Sequence, residues 1–322
     1  RLRTVTGVQT CALPIFRARL HAGQPALGTW LTLPSVTAAQ LMSRTGFEWL
    51  TVELEHTPIS SETAAAMFAI IAANGCVPLV RIPFNTTENI KRALDTGAWG
   101  IVVPMVNSRA EAEAVVRAAR YRPLGERSIG GQLHGANFGT DASTYYAKAN
   151  QEILVVVMAE HADAVERIDE ILSVPGIDAV FVGPNDLHAS LGLPPMFDSA
   201  DARFNAALAR VLANRLASLC HHPIDHGSLD PTFHRDDLER IGTRLGEATD
   251  LPAAVDGRHV VLVDDVIFTG RTVRAALEAL HTWGRPQRVQ LVVMVDRGHR
   301  ELPIQPDYCG RSVPTTRQET IE

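Results

Sequence analysis

A chain of 322 residues with 46% hydrophobic and 20% charged residues has the make-up of an ordinary globular protein of about two domains. Thirty Lys and Arg against 36 Asp and Glu leave a net charge of −6, so bulk electrostatics gives no support to a polyanion-binding protein. No apolar run approaches the roughly 18–20 residues that span a bilayer. The four cysteines, Cys11, Cys76, Cys220 and Cys309, are too scattered for a zinc ribbon or a disulfide scaffold, which fits a reducing cytoplasm.

The chain opens on Arg1. Residues 1–16 have a broken apolar stretch and no small-residue cleavage site, so they read as a non-native or disordered leader rather than a signal peptide. From residue 27 to about 192 short apolar runs alternate with helical windows. The predicted strands are Leu27–Leu31, Trp49–Glu53, Val77–Val80, Gly100–Val103, Ile153–Met158 and Asp178–Val182. The helical windows are Ser60–Ala73, Thr86–Thr96, Ser108–Ala119 and Ala162–Leu172. This alternation predicts βαβ units around a buried parallel sheet, two strands short of a closed (β/α) barrel. The Gly-rich stretch Arg122–Asp141 reads as an active-site loop.

Near Leu216–Pro223 the texture changes, and no Lys follows Lys148. A polar segment, Ser228–Thr243, leads to a strand at Arg258–Val263, a turn with two Asp and a Thr-Gly, a helix at Thr272–Trp283, a strand at Arg288–Val295 and an Arg/Pro-rich tail. The expected organisation is a partial barrel over 17–215, a seam over 216–226 and a smaller α/β unit over 227–322.

Within the first part, Glu160 and Asp186 each follow a predicted strand. Carboxylates on adjacent strand ends can share one hard divalent cation and leave positions open for substrate oxygens. Arg81 follows its strand and can meet a carboxylate or a developing oxyanion. His56 can act as base or water activator, with Glu53 orienting it. Taken singly, any of these carboxylates also reads as a helix cap or a surface charge.

Six ordered motifs, VELEHTP (52–58), LVRIP (79–83), GAWGIVVPMV (97–106), RSIGG (127–131), VVVMAE (155–160) and FVGPNDLHASLG (181–192), resemble the HpcH/HpaI aldolase family. These are class II pyruvate aldolases of the TIM-barrel type, lyases that cleave 4-hydroxy-2-oxo acids to a 2-oxo acid and an aldehyde. The resemblance implies that Glu160 and Asp186 hold Mg²⁺ or Mn²⁺, that Arg81 stabilises the enolate and that His56 moves a proton through water. It also implies that the backbone at Gly183-Pro184 and Gly130-Gly131 approaches the substrate carboxylate. Glu53 stands where the family usually has Asp, and Met158 where some members have Gln.

HVVLVDDVIFTGRT (259–272) is an apolar strand, two acids and a Thr-Gly-Arg-Thr turn opening a helix, a natural phosphate cradle. Asp264 and Asp265 can bond vicinal ribose hydroxyls. With GSLDPTFHRDDLERIGTR (227–244), VRAALEAL (273–280) and the run 295–319, it resembles the PyrR family, pyrimidine-operon attenuators that are also uracil phosphoribosyltransferases. By that resemblance Thr269, Gly270, Arg271 and Thr272 grip the 5′-phosphate of phosphoribosyl pyrophosphate or UMP. Arg235, Asp236 and Asp237 belong to a mobile loop, and Arg297 lies near the nucleotide. The strand and Arg-Gly turn that would contact pyrophosphate are missing from this part of the sequence. From residue 222 onward there are 12 Arg and no Lys against 16 acids, a net of −4, so RNA binding has no electrostatic support.

The favoured reading is a metal-dependent aldolase with an appended transferase fragment. The alternatives are a phosphoribosyltransferase or RNA-binding regulator carrying an aldolase remnant, and an inert fusion in which neither site is complete. An incomplete barrel also argues against the family's oligomer.

Overall fold

The computed structural model describes residues 16–17, 20, 22, 26–131, 133–196, 201–220, 224–236, 249–251 and 254–317. Most of the expected leader, part of the seam and Asp237 lie outside them. The chain divides into two compact units, Arg1–Met196 and Phe197–Glu322.

Among the described residues the first unit carries six parallel strands in chain order: β1 (Gly28–Leu31), β2 (Trp49–Glu53), β3 (Val77–Arg81), β4 (Gly100–Val103), β5 (Leu154–Ala159) and β6 (Ala179–Val182). The expected incomplete barrel is what forms. β4 and β5 are buried along their whole length, as an apolar strand with helices on one face and a lumen on the other must be. Trp30 of β1 and Phe181 of β6 are in ring contact with centroids 5.3 Å apart, although these are the outermost strands. The sheet therefore curls until its edges face each other across the lumen.

The connecting helices are α1 (Val36–Met42), α2 (Ser61–Ala73), α3 (Thr87–Asp95), α4 (Arg109–Ala119), α5 (Leu133–Asn137), α6 (Ala142–Glu152), α7 (Ala162–Glu166), α8 (Ile168–Leu172) and α9 (Pro184–Ser190). Ser35, Ser60, Thr86 and Ser108 cap α1 to α4, each side chain accepting the N–H three residues on. That bond satisfies a donor the helix leaves open and fixes where each helix starts. The single window expected over Ala162–Leu172 breaks at Arg167 into α7 and α8.

The stretch expected to be an irregular active-site loop is instead partly helical and runs between α4 and α6, ahead of the start of β5. Arg127, with no side-chain exposure, pairs with Asp95 at the end of α3 (2.7 Å) and donates to Tyr145 Oη at 3.1 Å. His134 is fully buried beside them. Burial, reinforced by Arg127, holds its imidazole below the ordinary range, so the folded chain protonates it only at lower pH than the unfolded chain does. The unfolded chain regains an ordinary histidine, near 6.5, and takes up a proton that the folded chain refuses. Stability is therefore full above about pH 6.5 and falls as pH drops through it. Urea midpoints should decline between pH 7.5 and 5.5, and His134→Gln should flatten that slope; an unchanged slope would assign it to another group.

Among the described residues the second unit has α10 (Ala202–Cys220), a short 3-10 turn at Thr232–His234, and three parallel strands, β7 (His259–Ile267), β8 (Arg288–Asp296) and β9 (Tyr308–Ser312), with α11 (Arg271–His281) between β7 and β8. Ile267, Val273, Leu291 and Val293 form its core, with Leu262, Leu277 and Ile304 against them. β7 runs three residues past Asp264, so Asp264 and Asp265 stand within the strand and not in the turn after it. β9 forms within the stretch read as a tail. No helix among the described residues is long and apolar enough to cross a membrane.

Candidate active site

Parallel register puts the ends of neighbouring strands side by side. Glu53 and Arg81 are partners at the ends of β2 and β3, and Ala159 and Val182 are partners at the ends of β5 and β6. Glu160 and Gly183 follow the second pair directly. Asp186 lies in the first turn of α9, so the strand ends carry Glu53, Arg81, Glu160 and Asp186 along one edge.

Glu160 is 2% exposed. Its Oε1 accepts the Met105 N–H at 2.7 Å. Met105 holds a left-handed backbone, φ 53°, which a non-glycine residue adopts only where surroundings impose it. Its other oxygen lies against Gly183, where a Cβ would sit 2.5 Å from Oε2. Burial pushes the Glu160 carboxyl up to about 7, and the charges of Glu55 and Asp186 add to the effect. Gly183→Ala would displace that oxygen. If Glu160 holds a divalent cation, the affinity for it should fall about 10- to 100-fold, the range for disturbing a group that supports a ligand. Calorimetric titration with Mn²⁺ checks this, and wild-type affinity in the variant would rule it out.

Arg81 is 15% exposed, and its Nε–H donates to Glu53 Oε2 at 2.6 Å. Its guanidinium carbon lies 4.9 Å from the Trp30 ring centroid, within cation–π range. Glu53 differs from its expected task. Oε1 accepts the backbone N–H of Glu55 (2.6 Å) and of His56 (3.2 Å), so it shapes the loop and holds Arg81. The carboxylate beside the His56 ring is that of Glu55, with Oε2 3.7 Å from His56 Nε2 and 3.2 Å from Arg81 Nε. Burial raises Glu55, and Glu53 and Asp186 add to this against the opposing Arg81 and His56.

Sequence reasoning passed over Glu55 and Met105. The acid-x-acid-His spacing of 53–56 was a signal for Glu55; nothing in the sequence announces the Met105 backbone. Gly130 and Gly131 are not brought to this edge. Gly130 accepts a hydrogen bond from Tyr146 Oη at 3.3 Å, and a Cβ on Gly131 would lie 3.4 Å from His134. Pro184 opens α9, and Met158 is buried with its methyl near Gly183.

In the second unit Gly270 caps α11 in the left-handed conformation, φ 88°, leaving the helix N-terminus without a side-chain cap. Arg235 donates to Thr272 at 2.9 Å, and Arg271 pairs with Asp236 (2.5 Å) and Glu301 (2.9 Å). The two described residues of the expected mobile loop therefore meet the expected phosphate loop. The Thr269 carbonyl accepts from Glu301 and Leu302. Burial and Asp265 raise Asp264 to about 6. Arg297, 8% exposed, lies over the Phe268 ring at 4.2 Å and donates to Thr315 and Thr316, so it clasps the following chain. Among the described residues no group of three or more His, Cys, Asp or Glu is arranged to hold a metal by itself.

Comparison with known proteins gives two family matches: HpcH/HpaI aldolase/citrate lyase over residues 26–220 and a phosphoribosyl transferase domain over 203–319. They overlap on α10. The chain is 40% identical over 191 residues to a hydroxypyruvate/pyruvate aldolase of Rhizorhabdus wittichii, covering 59% of this chain and 75% of that protein. It is 37% identical over 198 residues to a 4-hydroxy-2-oxo-heptane-1,7-dioate aldolase of Shigella sonnei, covering 61% and 76%. The crystal structure of a family protein from Burkholderia cenocepacia superposes with a TM-score of 0.59 at 34% identity, covering 65% of this chain and 82% of that one.

Proposed function

The chain belongs to the HpcH/HpaI aldolase/citrate lyase family, and on that premise we propose that it is a class II pyruvate aldolase, a carbon–carbon lyase acting on 4-hydroxy-2-oxo acids. The observation that carries this reading is the state of Glu160: buried, fixed at one oxygen by Met105, and pushed up to about 7 by burial with Glu55 and Asp186 near. The ionised form of a carboxyl so placed is under-compensated despite Arg81 and the Met105 N–H, and Mg²⁺ or Mn²⁺ held by Glu160 and Asp186 would supply the missing positive charge. Two protein ligands leave the remaining positions for water and substrate.

Such a cation, when bound, supplies Lewis acidity to the carboxylate and keto oxygens of a 2-oxo acid. The chain's own groups do the rest. Glu53 fixes Arg81 at Nε, which leaves the terminal nitrogens to meet the oxyanion that develops on the keto oxygen. As the methyl proton leaves, its C–H electron pair becomes the enolate double bond. His56, with a side chain 65% exposed, would carry that proton through water. Gly183 and Pro184, at the N-terminus of α9, favour the substrate carboxylate. In the synthetic direction the enolate carbon attacks an aldehyde. The test is exchange of pyruvate methyl protons with D₂O, followed by NMR with and without Mn²⁺ or Mg²⁺. Metal-dependent exchange supports the reading; exchange that ignores metal would overturn it.

For the second unit we propose ribose-phosphate binding without turnover. The domain match and the left-handed Gly270 at the head of α11 support a phosphate seat. Contacts to the ribose phosphate without contacts to pyrophosphate hold the substrate but not its leaving group. Uracil-dependent release of pyrophosphate should stay far below about 1 s⁻¹, the low end of ordinary turnover; a rate at or above it would establish a working transferase. The proposed division remains an aldolase-like part over 17–215 and a transferase-like part over 227–322, joined at 216–226.

A further inference from the structure

Glu55 has no part in the mechanism above, yet it stands between its two halves. Its Oε2 is 3.2 Å from Arg81 Nε and 3.7 Å from His56 Nε2. That oxygen is buried and accepts no hydrogen bond, because the Arg81 Nε–H is given to Glu53. Glu53 cannot take over the ring of His56, since its carboxylate is engaged by two backbone N–H groups and by Arg81. Glu55 also faces the charges of Glu53 and Asp186, so its neighbourhood is acidic except for the guanidinium and the imidazole. A carboxylate in such a place is held by the guanidinium, and by the imidazole whenever that ring carries a proton, and in turn holds them.

We propose that Glu55 is a positioning residue for proton transfer, tying the His56 ring to Arg81 so that the group that moves the proton and the group that receives the oxyanion charge are set as one assembly. This rests on the aldolase reading. A positioning residue lowers turnover by misplacing another group, and it leaves substrate binding largely alone.

The experiment measures pyruvate methyl exchange in D₂O with the Mn²⁺-loaded full chain. Glu55→Gln should lower kcat by roughly 10- to 100-fold, less than the 100- to 10,000-fold that a general acid or base itself can contribute, with KM for pyruvate changed by less than about twofold. Glu55→Asp should recover part of the loss. In a His56→Gln background the same Gln substitution should add less than about twofold, because a residue that acts through His56 has nothing left to position. Wild-type kcat in Glu55→Gln, or losses that multiply in the double variant, would overturn the proposal and leave the aldolase reading standing. A loss in both the Gln and Asp variants accompanied by loss of cooperative unfolding would mark a structural role and also overturn it. No metal-dependent exchange in the wild-type chain would overturn both.

Discussion

Asp186→Asn should abolish metal-dependent proton exchange while leaving the fold intact. Asp186 is exposed in the first turn of α9, so an isosteric amide there removes no core packing. It does remove one of the two carboxylates proposed to hold the cation. The loss should exceed the 10- to 100-fold that follows from disturbing a supporting group, because a ligand itself is gone. It also takes away a charge that helps raise Glu160, so Glu160 should ionise more readily and the metal-free chain should unfold at an equal or slightly higher urea concentration. Activity and stability are thus expected to part company. Exchange at the wild-type rate in Asp186→Asn, with unchanged Mn²⁺ affinity, would show that the cation sits elsewhere.

Much of this was legible in the sequence, for identifiable reasons. The strand runs at Trp49–Glu53 and Gly100–Val103 are rich in large and β-branched residues, and their limits in the structure coincide with the reading. Ser60, Thr86 and Ser108 mark helix starts because a hydroxyl at that position satisfies an otherwise open N–H. The common edge of Glu160, Asp186 and Arg81 was legible because each follows a parallel strand, and such ends gather on one side of a sheet. The partner of the His56 ring was misread. The Glu53 carboxylate turns back to two N–H groups of its own loop, and no spacing argument contains that turn. The placing of Gly130 and Gly131 was lost for a related reason: what decides it is the buried pairing of Arg127 with Asp95, a contact between residues 32 positions apart. β9 was hidden because Arg, Pro and Gly around it lower its strand signal, and its pairing with β8 decides the outcome.

The greatest loss of stability should come from the opposite edge of the same sheet. Arg120 is 2% exposed. It donates to the carbonyls of Ile153 (2.7 Å) and Gly176 (3.1 Å) and to Asp178 Oδ2 at 3.4 Å. Burial lowers its guanidinium to about 10 despite the opposing pull of Asp178. Asp178 in turn accepts the Val155 N–H at 2.9 Å and pairs with Arg17 at 2.6 Å. One buried cation therefore ties the end of α4 to the residues that lead into β5 and β6. Removing a partner from a buried, hydrogen-bonded charge cluster costs about 3–5 kcal/mol, so Arg120→Ala should lower stability by that order. Arg17→Ala should cost less, since that side chain is 21% exposed. Among the described residues β6 is an outer strand paired with β5 alone, and it leads to Gly183 and Asp186. Loosening its start should therefore weaken Mn²⁺ binding at its far end as well. Urea denaturation and Mn²⁺ titration of the two variants test this together. A cost below about 1 kcal/mol for Arg120→Ala would mean that water replaces the guanidinium at those carbonyls, as it does for exposed ion pairs, and that β6 is held by its packing alone.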